Sequence, residues 1–292
     1  MTLDLEQFAA TPRIADGATG TELQKHGLPA GQCPELWNAD NPDAVERVAR
    51  SYVDAGSDVI LTNTFGGNRF ALEAHGAAER AAGLCEAAAQ IARRAAGDAA
   101  RVFGSIGPTG KVVMMGEVGP DELSAAFAES AAALARGGVD AIVLETFNEL
   151  AELQLALAAV REATDLPVIC SMTFSAGPDK TRTMMGESPA DLAAAADAGG
   201  AAGVGANCGV GPETYVTVAG MLREATDLPI WIKPNAGMPQ VRDGETVFPM
   251  GPDEFAAHAP RILDAGASFL GGCCGTTPEH IRALRAAVDG LG

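Results

Sequence analysis

Three cysteines carry the most chemistry in this sequence: Cys208, and the adjacent pair Cys273 and Cys274 that follows 65 residues later. Thiolates are soft ligands, and three of them brought together suit one Zn2+ ion, which favours sulfur at about 2.3 Å in tetrahedral geometry. Three protein ligands leave a fourth position open, the arrangement of a catalytic rather than a structural zinc site. Neighbouring residues of a strand point to opposite faces, so both members of the pair can serve only where a strand is ending. Gly271, Gly272 and Gly275 around the pair supply that freedom. Two other readings stay open: Cys273 and Cys274 as a vicinal disulfide, or as small buried apolar residues. Cys33, Cys85 and Cys170 read as inert thiols, Cys85 in an alanine-rich helical stretch and Cys170 inside a strand. His26, His75, His258 and His280 read as surface residues rather than ligands.

Two acidic residues, Asp16 and Glu145, stand at similar points of other apolar runs. As a pair they could hold the ammonium group of an amino-acid substrate, because a buried charge persists only when it is paired; as single residues they would be ordinary carboxylates near a rim. The methionine pairs Met114-Met115 and Met184-Met185 read as packing or loop-lid residues.

These residues must be positioned by the alternation of short apolar runs with longer amphipathic ones, the pattern of a parallel sheet built from βα units. Eight candidate strands follow in order: Arg13 to Thr19, Asp58 to Phe65, Arg101 to Pro108, Asp140 to Phe147, Pro167 to Ser175, Ala202 to Gly209, Pro229 to Gly237 and Ser268 to Cys274. Helical stretches between them open on caps, as at Asn41-Pro42-Asp43 and Ser188-Pro189-Ala190-Asp191, and close near Gly56 and Gly199. Leu150, Leu153, Leu157 and Val160 recur at helical spacing. The heptapeptide REATDLP occurs at Arg161 and again at Arg223, 62 residues on, the distance of two βα units of about 31 residues. No G-x-G-x-x-G follows the first strand, which argues against a dinucleotide-binding doubly wound sheet. The expectation is α/β, a single (β/α)8 TIM barrel spanning residues 1–292 as one domain, with its chemistry at the C-terminal strand ends.

The bulk properties agree. The 292 residues are 47% hydrophobic and 20% charged, enough for a large core, and 38 acidic against 20 basic residues leave a formal charge of −18. That balance excludes a basic patch for nucleic acid or an anionic membrane. Six cysteines are too few for a disulfide scaffold, no apolar run reaches membrane-spanning length, and the first eleven residues lack a signal-peptide core, so reduced thiols in the cytoplasm are expected.

Taken together, DGATGTEL, GSDVILTNTFGGNR, GSIGPTG, LETF, GANCG, PNAG and GGCCGTTPEHIR, in this order from about Arg13 to about Val288, resemble the homocysteine-binding barrel of the homocysteine S-methyltransferase family. That family includes cobalamin-dependent methionine synthase and betaine-homocysteine methyltransferase. The resemblance implies one zinc per chain on Cys208, Cys273 and Cys274, with the homocysteine sulfur in the open position, deprotonated there and attacking an activated methyl carbon to give methionine. It further implies that Asn235, in PNAG, fills the fourth position before substrate arrives. Asp16 and Glu145, with Asn207 and the backbone near Gly17 and Ala18, would contact the substrate's amino end. For the donor, two tyrosines of betaine enzymes align with Gly66 and Thr146, which leaves an aromatic cage incomplete, although Trp37, Phe65 and Phe147 could build another. With a chain that stops just after its eighth helix, a separate corrinoid protein is the expected methyl donor, cobalamin entering only on that partner. Betaine or another methylated amine comes second, and a sulfonium compound third. A zinc barrel serving a demethylation system with another thiol, or a non-catalytic zinc protein, is the reading from a different class; a homo-oligomer is left open.

Overall fold

A computed structural model describes residues 2–242 and 245–291. Its parallel strands are β1 (Arg13–Ile14), β2 (Val59–Leu61), β3 (Arg101–Ile106), β4 (Ala141–Phe147), β5 (Val168–Met172), β6 (Gly203–Asn207) and β7 (Ile230–Lys233). A short antiparallel hairpin of β8 (Gln240–Arg242) and β9 (Glu245–Val247) precedes the last parallel strand, β10 (Phe269–Leu270). The eight parallel strands pair in the order β1-β10-β7-β6-β5-β4-β3-β2. The remaining gap is closed by the parallel bridge between Ala15 and Val59, beside which Asp58 Oδ2 accepts the Ile14 N–H at 2.7 Å. This is the expected (β/α)8 barrel. Its regular strands are shorter than the apolar runs, because the ends of those runs leave the sheet to form the loops of the mouth.

The helices alternate with the strands. Leu150–Ala163 buries Leu153, Ala156, Leu157 and Val160, the face its periodicity marks. Pro189–Gly199 opens with a capping box between Ser188 and Asp191. The repeated heptapeptide has the same structure twice: each copy ends a helix, with Thr164 and Thr226 both extended after it (φ −149° and −157°), and leads into β5 and β7.

The barrel interior is divided into two tiers by the two-residue period of the strands. The lower tier is apolar: Ala15, Val59, Leu61, Phe103, Val143, Ile169, Trp231 and Phe269 form one cluster, closed from below by Leu5 with Phe8 packed against it. Trp231 and Phe269 lie 5.4 Å apart, and Phe103 sits 6.1 Å from Trp231. Gly205 makes room for this layer, since a Cβ there would run into the Trp231 carbonyl oxygen. Two residues further along the same strands, Phe103 gives way to Ser105, Val143 to Glu145, Ile169 to Ser171, Gly205 to Asn207 and Trp231 to Lys233, all buried. The upper tier is therefore polar, and it forms the floor of the mouth. Among the described residues no helix is long and apolar enough to cross a membrane.

Candidate metal and substrate site

Cys208 is the first residue beyond β6, and it adopts a left-handed backbone, φ 65°, which non-glycine residues seldom take. Three contacts hold it there: its N–H donates to Lys233 O at 3.0 Å, and its own carbonyl accepts from Val210 N (2.7 Å) and from the buried Tyr215 hydroxyl (2.6 Å). Cys273 and Cys274 lie beyond the end of β10, so the alternation of a regular strand no longer separates them. Cys273 N–H donates to Pro234 O at 2.8 Å and Cys274 N–H to Asn235 Oδ1 at 3.1 Å, while the Cys274 carbonyl accepts from Ala236 N at 3.0 Å. Gly275 turns the chain away with φ 80°, its missing Cβ leaving space for the Phe248 ring.

The three sulfur atoms lie within 4.8 Å of one another, with Cys208 Sγ and Cys274 Sγ 3.8 Å apart. Ligands at about 2.3 Å from a tetrahedral zinc are separated by about 3.8 Å, so the donor set and its spacing fit that ion. All six cysteines are free, and these three are the half-buried ones, reachable from the mouth. The hydrogen bond from Cys208 together with burial holds the Cys273 thiol well above its ordinary range. Crowded thiols of this kind ionise only beside a cation.

The floor beside the thiols carries charge. Lys233 Nζ lies 2.5 Å from Asp16 Oδ1, with the two side chains 3% and 2% exposed. Asp16 Oδ2 accepts the Leu61 N–H at 2.7 Å. Glu145 accepts a short hydrogen bond from Ser105 Oγ; burial pushes its carboxyl up, partly offset by Lys233 and by that bond. Burial works against the charge on Lys233, yet Asp16 and Glu145 hold its ammonium above the ordinary lysine range. The expected carboxylate pair is thus brought to one floor, but with a lysine between its members that the sequence reading missed. Its signal was present: Lys233 ends an otherwise apolar run, Ile230-Trp231-Ile232, and is one of only four lysines in the chain.

The other expected contacts are tied into the scaffold. Asn207 Oδ1 accepts from Thr146 N (2.9 Å) and Ser171 Oγ (2.6 Å), and its Nδ2 donates to Thr146 Oγ1 at 2.6 Å and reaches to 4.0 Å of Cys273 Sγ. Asn207 so pins Thr146, itself left-handed at φ 66°, at the register shift between β4 and β5. Asn235 sits beside the thiols, its Oδ1 occupied by the Cys274 amide. Ala18 N–H donates to Thr276 Oγ1 at 3.2 Å, and Gly17 lies so close to Thr276 Oγ1 and the Tyr52 ring that a Cβ would approach both to 2.8 Å. Tyr52 and Thr276, which couple the first loop to the cysteine loop, carry no signal of that role in the sequence.

Several expectations need correction. His280 is buried rather than on the surface: its Nδ1 takes part in the cap of Pro278–Asp289 with Thr277, and its Nε2 lies 3.0 Å from Met250 O. His258 is half-buried, whereas His26 and His75 are exposed. Met114, Met115, Met184 and Met185 are exposed, which removes the packing alternative and leaves the loop-lid one. Phe147 is fully buried against Phe127, away from the mouth, and cannot join Trp37 and Phe65 in an aromatic cage. Cys33, Cys85 and Cys170 are buried, and burial pushes each thiol up to about 12.

The mouth of this parallel barrel sets three thiols, spaced so that they could hold a metal ion, beside a buried carboxylate–lysine floor. The chain belongs to the homocysteine S-methyltransferase family, whose pattern matches residues 13–288. It is 34% identical over 304 residues to methionine synthase of Mycobacterium leprae and 34% identical over 307 residues to that of Mycobacterium tuberculosis. These alignments take in 97% and 98% of this chain but 25% of each relative, so the chain spans about a quarter of their length. Among solved structures it is similar to the metallated form of the homocysteine methyltransferase MmuM from Escherichia coli, with a TM-score of 0.79 and 23% identity over 97% of this chain and 99% of that one. A methyltransferase from Methanosarcina mazei shares the fold with a TM-score of 0.61 at 14% identity, covering 96% of this chain and 94% of that one.

Proposed function

We propose that this chain methylates the sulfur of homocysteine to give methionine, with Cys208, Cys273 and Cys274 as the ligands of one zinc ion and a separate corrinoid protein as the methyl donor. The observation that carries the reading is the cluster of three sulfurs spaced for one tetrahedral ion beside a buried acidic floor. Zinc, when bound, supplies Lewis acidity that makes a thiol ionise at neutral pH. The chain's own residues do the rest. Asn235 and Pro234 fix the cysteine loop through the amides of Cys274 and Cys273. Glu145 offers an oxygen to the ammonium group of the amino acid. The apolar lower tier closes the barrel from below, so the substrate enters and leaves only by the mouth.

The rim supports a protein-borne donor. Phe65, Met114, Met115, Met184, Met185, Met238 and Val241 are exposed, all in the segments that follow the C-terminal ends of the barrel strands. Exposed apolar side chains rich in methionine suit a docking surface, and with Phe147 buried elsewhere only Trp37 and Phe65 remain of the three aromatic faces expected for a trimethylammonium donor. The test is methionine formation by zinc-loaded protein with homocysteine and, in turn, methylcobalamin free or on a carrier, glycine betaine and S-methylmethionine. Turnover with the corrinoid alone is expected. Turnover with betaine or the sulfonium compound would overturn the donor assignment, and silence with all three would overturn homocysteine as acceptor in favour of another thiol.

A further inference from the structure

The three thiols are not held alike. Cys273 and Cys274 come together from the one loop after β10, whereas Cys208 alone brings a sulfur from the β6 side. It does so with a left-handed backbone, φ 65°, and Gly209 after it repeats that sign at φ 68°. Glycine takes this conformation freely, but in cysteine the Cβ crowds the following carbonyl oxygen, so the surroundings must impose it. The backbone partners of Cys208 show what does. Its N–H donates to Lys233 O at 3.0 Å, which prolongs the β6–β7 ladder and would form on a regular strand as well. Its carbonyl accepts from Val210 N at 2.7 Å, closing a three-residue turn around Gly209 of the rare γ kind. The remaining partner is a side chain: the Tyr215 hydroxyl donates to the same carbonyl at 2.6 Å. Tyr215 lies on the helix Pro212–Ala225 and is fully buried, so its ring is fixed by the core and its hydroxyl is shut off from solvent.

We propose that Tyr215 is the positioning residue of the metal centre: its hydroxyl locks the Cys208 peptide in the left-handed form that presents the third thiol to Cys273 and Cys274. The inference rests on the zinc reading above and adds to it the group that preorganises one ligand. Tyr215 reaches the centre only through the Cys208 carbonyl, so it acts on the metal by way of the backbone. Without that donor the γ-turn alone has to hold a strained cysteine, and the peptide relaxes toward an ordinary φ. An arriving ion must then return Cys208 to the left-handed form before its third bond can close, and binding weakens by the cost of that return.

Zinc affinity, measured by competition with a chromophoric chelator, tests this on the full chain. Tyr215→Phe keeps the ring and removes only the donor, and it should weaken zinc binding by about 10–100-fold, the range for partners that orient a metal ligand. Ser130→Ala is the control for a merely structural hydroxyl. Ser130 is as deeply buried and bonds Gly67 O at 3.3 Å and Ala126 O at 3.1 Å, with no contact to the cysteine loops. Its loss should lower Tm comparably and leave the zinc Kd within about threefold of wild type. Replacing Tyr215 with 4-aminophenylalanine returns a donor at the same point and should restore the Kd to within about threefold. The proposal is overturned if Tyr215→Phe binds zinc as wild type does, or loses no more affinity than Ser130→Ala. It is also overturned if the amino variant folds but stays as weak as Tyr215→Phe, or, where Tyr215→Phe does not fold, if the amino variant binds zinc more than tenfold more weakly than wild type. Failure of wild type to bind zinc at all would instead bring down the zinc reading, and this assignment with it.

Discussion

Cys208, Cys273 and Cys274 stand where their strands have already ended, whereas Ser105, Glu145, Ser171 and Lys233 stand within theirs or at the last residue. On the thiol side the backbone is irregular, left-handed at Cys208 and turned by Gly275, and it is held by hydrogen bonds from β7, from Tyr215 and from the loop after β7. On the charged side Ser105, Glu145, Ser171 and Lys233 lie on the strands themselves, each two residues above an apolar one in the lower tier, although β4 shifts register around Glu145 and Asp16 follows the end of β1. Loop-borne ligands can settle around an ion, which needs distances met to a few tenths of an ångström. Strand-borne charges cannot move, so their partners must be provided by the fold. The mouth therefore joins an adjustable half that waits for a cation to a fixed half that carries its own.

The sharpest way to separate the halves is to remove the ligands. Cys208→Ala, Cys273→Ala and Cys274→Ala should each lower the methyl-transfer rate by about 10³-fold or more, the loss of several kcal/mol of Lewis-acid stabilisation. The same variants should lose zinc while keeping Tm within about 4 °C of the wild-type apoprotein, because the thiols are outside the apolar core. Chelation should likewise abolish activity with the far-UV circular dichroism intact. Unfolding on chelation would mean that the thiol half holds the barrel together and that its zinc is structural.

Trp231→Ala should do the reverse. The ring is fully buried among Phe103 and Phe269, and its loss should cost about 3–5 kcal/mol in urea unfolding. Zinc stoichiometry should stay at one per folded chain, since no thiol touches that layer. Loss of zinc in the folded variant would show that the fixed tier positions the cysteine loops through Lys233, whose carbonyl accepts the Cys208 amide.

These two halves were also unequally legible in the sequence. Thiols announce themselves by type and by their glycine neighbours, and eight apolar runs sufficed to place their ends on one rim. The charged floor was half read. Asp16 and Glu145 stood out as acids after apolar runs, but Lys233 was hidden by sequence distance: it lies 217 residues from Asp16, and only barrel closure brings them together. His280 was misplaced because a histidine three residues after Thr277 can cap a helix as readily as face solvent, and the choice was decided by Met250, 30 residues away. The β8–β9 hairpin was legible and overlooked: Val241 and Arg242 before Asp243-Gly244, with Thr246 and Val247 after it, carry the hairpin signal, although Asp243 and Gly244 lie outside the described residues. Strand ends were overextended at both Arg13 and Ser268, where the run continues in composition after the ladder has stopped.

The smallest expected effect concerns the pH dependence of the fixed half. Burial raises the Glu145 carboxyl above its ordinary range, with Ser105 and Lys233 only partly offsetting it. The folded chain therefore keeps this proton at pH values where the unfolded chain has released it, and stability falls as pH rises from the ordinary glutamate range through the folded value. Glu145→Gln removes that loss, so its urea midpoint should fall less than that of wild type between about pH 5 and about pH 8. Glu152 is raised by burial in the same direction and is unchanged in the variant, so part of the slope should survive. A slope as steep in the variant as in wild type would mean that Lys233 already compensates Glu145 in full. The fixed half would then have no unmet charge, and the amine of a substrate would have to be recognised elsewhere in the mouth.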